Sequence, residues 1–354
     1  IVSSGNLKQI MNSDSLTSKY LNQILKIDVP KIRNKSYNFF EVKGLRENNL
    51  KNINIKIPLN IFTVITGVSG SGKSTLIKKI IFPAVQRELN IFKNKPGDFD
   101  HINGDISKIK QIEYIDQNPI GKSSRSNPVT YIKAYDEIRK VFSNQKLSKL
   151  RGYKPKHFSF NVPGGRCEKC LGEGSINIEM QFMADVAIEC DDCNGKRFKR
   201  EILEIDIKGK SITDILNMSI DEAIIFFKEN NNLNISQKLL PLQKVGLGYV
   251  LLGQSSSTLS GGEAQRVKLA YFLQKINSKN HILFLFDEPT TGLHSHDIKM
   301  LLKSFNELLA LGHTLIVVEH NIDLIKCADN IIDLGPEGGE NGGYIVAQGT
   351  PENI

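Results

Sequence analysis

The chain has 354 residues, of which 40% are hydrophobic and 24% charged, and its formal net charge is +8 with a pI near 9.0. This composition can bury a core in one large domain or two to three smaller ones, and it contains no run of about 18 apolar residues able to span a membrane. No charged-then-apolar leader opens the chain, and residue 1 is Ile rather than Met, so a segment of a longer protein is expected. The excess of Lys and Arg favours a polyanionic partner; the alternative is a Lys-, Asn- and Ile-rich bias that only solvates the surface. Four of the five cysteines fall in two tight pairs, which suits a metal site in a reducing, cytoplasmic compartment better than a disulfide framework.

Residues 11–36 are polar ("NSDSLTS", "VPKIRNKS") and read as a short helix and a linker. From Phe39, "FFEVKG" and "NINIKIP", with Ile at alternate positions, read as strands, and "IFTVIT" (Ile61 to Thr66) as a buried strand. "GVSGSGKS" follows, then "TLIKKIIF" with helical apolar spacing. "IKQIEYID", ending at Asp116, is a further strand. Residues 119–280 are more mixed, with the cysteines, a helical "IDEAIIFF" and a Gly/Ser loop before Glu263. "ILFLFDEP" carries a buried strand over Ile282 to Phe286, and "TLIVVEH" and "NIIDLG" follow with helical segments between them. Strands alternating with helices predict an α/β fold, a mainly parallel sheet with helices on both faces and an insertion in the middle of the chain.

"GVSGSGKS", Gly67 to Ser74, matches G-x-x-x-x-G-K-[ST] between a strand and a helix. Gly67, Ser69, Gly70 and Gly72 allow the backbone to fold around phosphates, with N–H groups and the helix start facing the anion. Lys73 is placed to reach the β- and γ-phosphates of ATP, Ser74 to hold Mg²⁺, and Thr75 to continue the cradle. A glycine-rich turn that binds nothing is the bland alternative. Asp287 ends a buried strand, where a carboxylate orients Mg²⁺, and Glu288 beside it is placed to polarise an attacking water. "LSGGEAQR", Leu259 to Arg266, sets Ser260, Gly261 and Gly262 at a helix start, a second phosphate-binding surface.

Cys167, Cys170, Cys190 and Cys193 form C-x₂-C, about nineteen residues, then C-x₂-C, the spacing of a tetrahedral structural Zn²⁺ site. Disulfides or free thiols are the alternatives, and Cys327 reads as a lone core thiol. "SINIEMQF" between the pairs alternates like a hairpin arm. Arg166, Lys169, Lys196, Arg197, Lys199 and Arg200 surround the pairs and are candidates for contact with a DNA backbone, against a solvated charged rim. Phe158, Phe160, Phe182 and Phe198 can pack this small module or stack on bases, and packing is the expectation.

The octet "LSGGEAQR" resembles the signature of ABC-type ATPases. That resemblance implies a glutamine after the strand ending at Asp116, which Gln117 fits, and a γ-phosphate-sensing histidine, which His320 fits. It also implies that Ser260 and Gly262 face nucleotide held by another ATPase unit, so that one copy is catalytically incomplete. A cysteine module between phosphate loop and signature narrows the likeness. "RENNLKNINIKIP", "GGRCEKC", "IEMQF", "DEPTTGLH", "VVEHN" and "DLGPEGG" together resemble the second, C-terminal ATPase half of the UvrA family, the damage-recognition subunit of the bacterial excinuclease. The implied architecture is an ABC-type P-loop ATPase core with a helical signature subdomain and an inserted zinc-binding hairpin module.

The expected domains are 1–36, a tail of a preceding repeat and linker; 37–118, the first part of the core; 119–280, the signature domain with the zinc module at 158–205; and 281–354, the second part of the core. A preceding repeat also fits the ends of the chain: Ile1, Val2, Gly5 and Ile10 align with Ile345, Val346, Gly349 and Ile354. The resemblance implies ATP, Mg²⁺ and Zn²⁺ as cofactors. It implies damaged double-stranded DNA, the N-terminal ATPase half and a homodimer as partners, with UvrB bound only through that other half. Pro163, Gln181, Tyr271 and Phe272 depart from the family pattern. A transporter nucleotide-binding subunit shares the ATPase motifs but not the four-cysteine insertion, and a UvrA-like self-resistance protein using ATP as a clamp is a further rival.

Overall fold

The computed structural model describes residues 1–91, 94–121, 125–178, 186–275 and 280–354. The chain folds into two compact units, one of residues 1–117 and 275–354 and one of residues 118–274. In chain order the strands begin with β1 (Phe39–Leu45), β2 (Ile53–Pro58), β3 (Phe62–Gly67), β4 (His101–Gly104) and β5 (Gln111–Ile115). The second unit holds β6 (Ser175–Ile178), β7 (Val186–Glu189), β8 (Asp206–Ile207) and β9 (Lys210–Ser211). The first unit then resumes with β10 (Ile282–Asp287), β11 (Thr314–Val318), β12 (Asn330–Gly335) and β13 (Tyr344–Gly349).

Burial decides which sheet each strand joins. β3, β10 and β11 are apolar and buried along nearly their whole length, as strands covered on both faces must be. They lie in a six-stranded sheet of order β13-β12-β3-β11-β10-β5, parallel except for the β12–β13 pair. β10 shows both faces at once. Leu283 and Leu285 join the cluster that contains Leu76, Ile77, Ile80 and Ile81 from the helix after the phosphate loop. Phe286 points the other way, its ring 4.7 Å from that of Phe305 on the helix Ser295–Ala310. β2 instead alternates, with Ile53, Ile55 and Ile57 buried and Asn54 and Lys56 exposed. It pairs with β1 in a separate antiparallel sheet, order β2-β1-β4, which packs one face on the core and leaves the other wet. A single mainly parallel sheet is therefore too simple a picture of this unit.

Register then gathers the chemistry. In parallel strands all C-terminal ends share one edge, where α/β proteins hold their ligands. Phe286 lies beside Ile115, Asp287 beside Val318, Val318 beside Ile65, and Leu334 beside Gly67. Extending each strand by two residues brings Gln117, Glu288, His320 and the phosphate loop to that edge.

The second unit is largely helical, with helices Ala134–Ser143, Ile220–Glu229, Leu233–Lys244 and Gly261–Gln274. Tyr135, Phe142, Phe158, Phe160 and Phe198 are buried in it as an aromatic cluster, with Phe160 5.3 Å from Tyr135 and Phe158 5.4 Å from Phe142. The Tyr135 hydroxyl donates to the Phe158 carbonyl at 2.6 Å, which satisfies an O–H that burial would otherwise leave without a partner.

Candidate functional site

The phosphate loop joins β3 to a helix whose first turns are wide: the Phe82 N–H reaches back five residues to the Ile77 carbonyl. Gly67 has φ +135°, and a Cβ there would lie 2.0 Å from the Leu334 carbonyl oxygen, so only glycine fits. Behind the loop, residues 335–343 form a support. The Gly339 N–H donates to the Gly70 carbonyl at 3.0 Å, and the Asn49 amide donates to the same oxygen at 2.9 Å.

Asn49, Ser69, Gly70, Gly72, Lys73, Ser74, Thr75, Glu288 and His320 line one cavity of about 200 Å³, a size that suits the phosphate end of a nucleotide rather than the whole molecule. Lys73 is 6% exposed, and its ammonium donates to the Gly67 and Val68 carbonyls at 2.9 and 2.7 Å. Burial pushes its pKa below the usual lysine value, against the pull of Glu288 and Asp333. A buried cation held by neutral carbonyls in an anion-sized cradle fits a polyphosphate.

Glu288 adopts φ +47°, a left-handed conformation rare for a residue with a side chain. Its N–H donates to the Val318 carbonyl at 2.9 Å, and its carbonyl accepts from Gln117 Nε2 at 3.1 Å. Glu288 Oε1 lies 3.4 Å from His320 Nε2. The structure thus brings Lys73, Ser74, Glu288 and His320 together and ties Gln117 to them. Asp287 is directed elsewhere: Oδ2 accepts from the Tyr114 hydroxyl at 2.8 Å and pairs with Lys78 at 2.7 Å. Mg²⁺ would have to compete with the Lys78 ammonium for that oxygen.

Ser260, Gly261 and Gly262 lie in the second unit, at the start of the helix Gly261–Gln274. The Ser260 N–H donates to Glu263 Oε2 at 2.8 Å, and the Glu263 N–H donates to Ser260 Oγ at 3.3 Å, a reciprocal cap. The Tyr249 hydroxyl holds the other Glu263 oxygen. Burial raises the Glu263 pKa, but these hydrogen bonds outweigh it and leave the carboxyl below its usual range.

The four paired cysteines converge, with all Sγ atoms within 4.8 Å of one another. Cys167 and Cys190 Sγ are 3.9 Å apart, and Cys170 and Cys193 Sγ 3.6 Å. A tetrahedron with Zn–S of about 2.3 Å has edges of about 3.8 Å, whereas a disulfide requires about 2.05 Å. The donor set therefore fits Zn²⁺ with no ligand position left over. Burial pushes the Cys167 and Cys193 thiols up, a cost to thiolates that a bound dication offsets. Cys327 is buried and separate, its thiol pushed up to about 11 by burial.

Among the basic candidates, Arg166 and Arg197 turn inward. Arg166 donates to the Asn161 carbonyl at 3.2 Å, and Arg197 donates to the Gly253 carbonyl at 2.9 Å with its guanidinium over Phe160. Lys169 is paired with Asp191 and Asp192, and Lys199 lies 3.6 Å from Glu168. Lys196, Lys199 and Arg200 are exposed. Phe158, Phe160 and Phe198 are packed, not available for stacking, while Phe182 and Gln181 lie outside the described residues.

No protein-family model matches the chain. It is 54% identical to UvrABC system protein A of Clostridium perfringens over 356 aligned positions, covering all of this chain and 38% of that protein. UvrABC system protein A of Staphylococcus epidermidis is 51% identical, again over the whole chain and 37% of that protein. Over its whole length the chain is similar to UvrA proteins. The crystal structure of UvrA2 from Deinococcus radiodurans superposes with a TM-score of 0.92 at 39% identity, over all of this chain and 42% of that one. The chain thus spans about two fifths of the length of the UvrA relatives it matches. Its fold is that of UvrA2, an α/β core with a four-cysteine insertion. No helix among the described residues is long and apolar enough to cross a membrane.

Against the UvrA resemblance, four residues at the site had no role in the motif reading: Asn49, Lys78, Tyr114 and Glu319. "RENN" and "VVEHN" hold two of them, but neither string says which atoms its side chains meet. Lys78 and Tyr114 carry no sequence signal, since a lysine in a helix and a tyrosine in a strand are unremarkable there.

Proposed function

We propose that this chain is the ATP-binding and hydrolysing module of a UvrA-type protein of nucleotide excision repair, coupling ATP to engagement of damaged DNA in the cytoplasm. The observation that carries this reading is the single cavity in which Lys73, Ser74, Glu288 and His320 meet. Gly67 to Thr75 grips the phosphates. Ser74, with Asp287 once released from Lys78, would hold Mg²⁺, which supplies charge neutralisation on the phosphates. Glu288 accepts hydrogen bonding from the attacking water, and His320, 3.4 Å from it, faces the γ-phosphate. Gln117 fixes the backbone that presents Glu288. Ser260, Gly261 and Gly262 serve the nucleotide of another ATPase unit, in the preceding half or in a homodimer. The cysteine module holds Zn²⁺ structurally and offers Lys196, Lys199 and Arg200 to a DNA backbone.

Glu288→Gln tests the reading. The amide cannot polarise water, so ATP affinity stays within about twofold while turnover falls on the order of a hundredfold or more. DNA binding by the assembled protein, on damaged and undamaged duplexes with and without ATP, then reads the coupling. Normal turnover by Glu288→Gln refutes the assignment of the base, and DNA binding indifferent to ATP refutes the coupling.

A further inference from the structure

Glu319 is buried at the end of β11, 2% exposed, and the hydrolysis scheme gives it nothing to do. Its partners are three backbone N–H groups. Oε1 accepts from Thr290 at 2.7 Å; Oε2 accepts from His320 at 2.8 Å and from Asn321 at 3.0 Å. Thr290 lies two residues beyond Glu288 on the chain leaving β10. His320 is the residue that meets Glu288 at 3.4 Å. One carboxylate therefore ties together the two segments that carry the reacting side chains. The tie is needed because Glu288 sits at φ +47°, a conformation that persists only where its surroundings enforce it.

We infer that Glu319 is a positioning residue that sets the distance between Glu288 and His320. The inference rests on the reading of this cavity as an ATP-hydrolysing site. Without the carboxylate, one buried N–H group and two partly buried ones lose their acceptor, and the turn after β10 relaxes toward ordinary backbone geometry. The phosphate loop has its own supports, the Gly70–Gly339 and Asn49–Gly70 hydrogen bonds, and does not depend on Glu319. Loss of Glu319 thus disturbs the attacking side of the reaction and spares the grip on phosphate. This separation distinguishes it from a group that only stabilises the fold.

The test uses Glu319→Gln, Glu319→Asp and Glu319→Ala, assayed in the assembly in which the wild type turns over ATP. Glu319→Gln lowers kcat about ten- to a hundredfold, the scale of a misplaced catalytic group, with nucleotide Kd changed less than twofold. Glu319→Asp, which keeps the charge at shorter reach, recovers part of the rate. In a Glu288→Gln background the same substitution adds almost nothing, because both act through one step. Unchanged kcat, or kcat and affinity lost in parallel, overturns the inference. A wild type that binds no nucleotide sinks the reading of the cavity instead. Amide hydrogen exchange then judges Glu319 on its own: Glu319→Ala is expected to lose protection at Thr290, His320 and Asn321, and unchanged protection there overturns the proposal.

Discussion

Replacing Lys73 by methionine tests the phosphate site most directly. The ammonium is 6% exposed and makes two hydrogen bonds, both to carbonyls of its own loop. In the complex those bonds are exchanged for charged ones to phosphate oxygens. A hydrogen bond to a charged group is worth about 1.5–3 kcal/mol, and at about 1.4 kcal/mol per decade its loss weakens ATP binding about 10- to 150-fold. Stability should move little or upward, since methionine fills similar space and removes a cation that burial already disfavours. That separation excludes misfolding as the cause. The assay is titration with a fluorescent nucleotide, with a thermal melt as the control. The pH dependence has a definite sign. Burial holds the free-protein Lys73 pKa below 10.5, and bound phosphate raises it. Binding therefore takes up a proton once the free lysine has begun to titrate: affinity is full at neutral pH and declines as pH rises through the lowered free value. Lys73→Met lacks this decline. Undiminished affinity in Lys73→Met, or an identical alkaline decline in the variant, refutes the role given to Lys73.

Metal analysis should return about one Zn per chain. Cys167→Ser or Cys190→Ser lowers that content and loosens the β6–β7 hairpin, whereas Cys327→Ser leaves it unchanged; native protein free of metal contradicts the assignment. If Ser260 and Gly262 serve a second unit, as proposed, the isolated chain should bind ATP yet hydrolyse it slowly, with any activity rising more steeply than linearly with concentration. Ser260→Arg should then impair the partner's nucleotide site and spare this chain's own. Full activity from a demonstrably monomeric sample refutes that argument.

The local chemistry was legible in the amino-acid string. Gly67 to Ser74 needs glycines where the backbone turns against Leu334, and the Cys-x₂-Cys pairs need adjacent knuckles; both are short-range demands that spacing records. The apolar run of β10 likewise announces a strand buried on both faces. Long-range pairing is not recorded in this way. The alternation of β2 shows one dry face, but not that it joins β1 and β4 in a sheet apart from the parallel one. Arg166 and Arg197 read as surface cations until the fold supplies the carbonyls of Asn161 and Gly253 for them to meet. The motif places Asp287 beside Glu288, but only tertiary structure puts Tyr114 and Lys78 on its carboxylate. Glu319 is the clearest case. Its bonds to the His320 and Asn321 N–H groups are local, but the one to Thr290 depends on β10 and β11 lying side by side in register, which is decided by how the two strands pair in the sheet and not by any residue next to it in the chain.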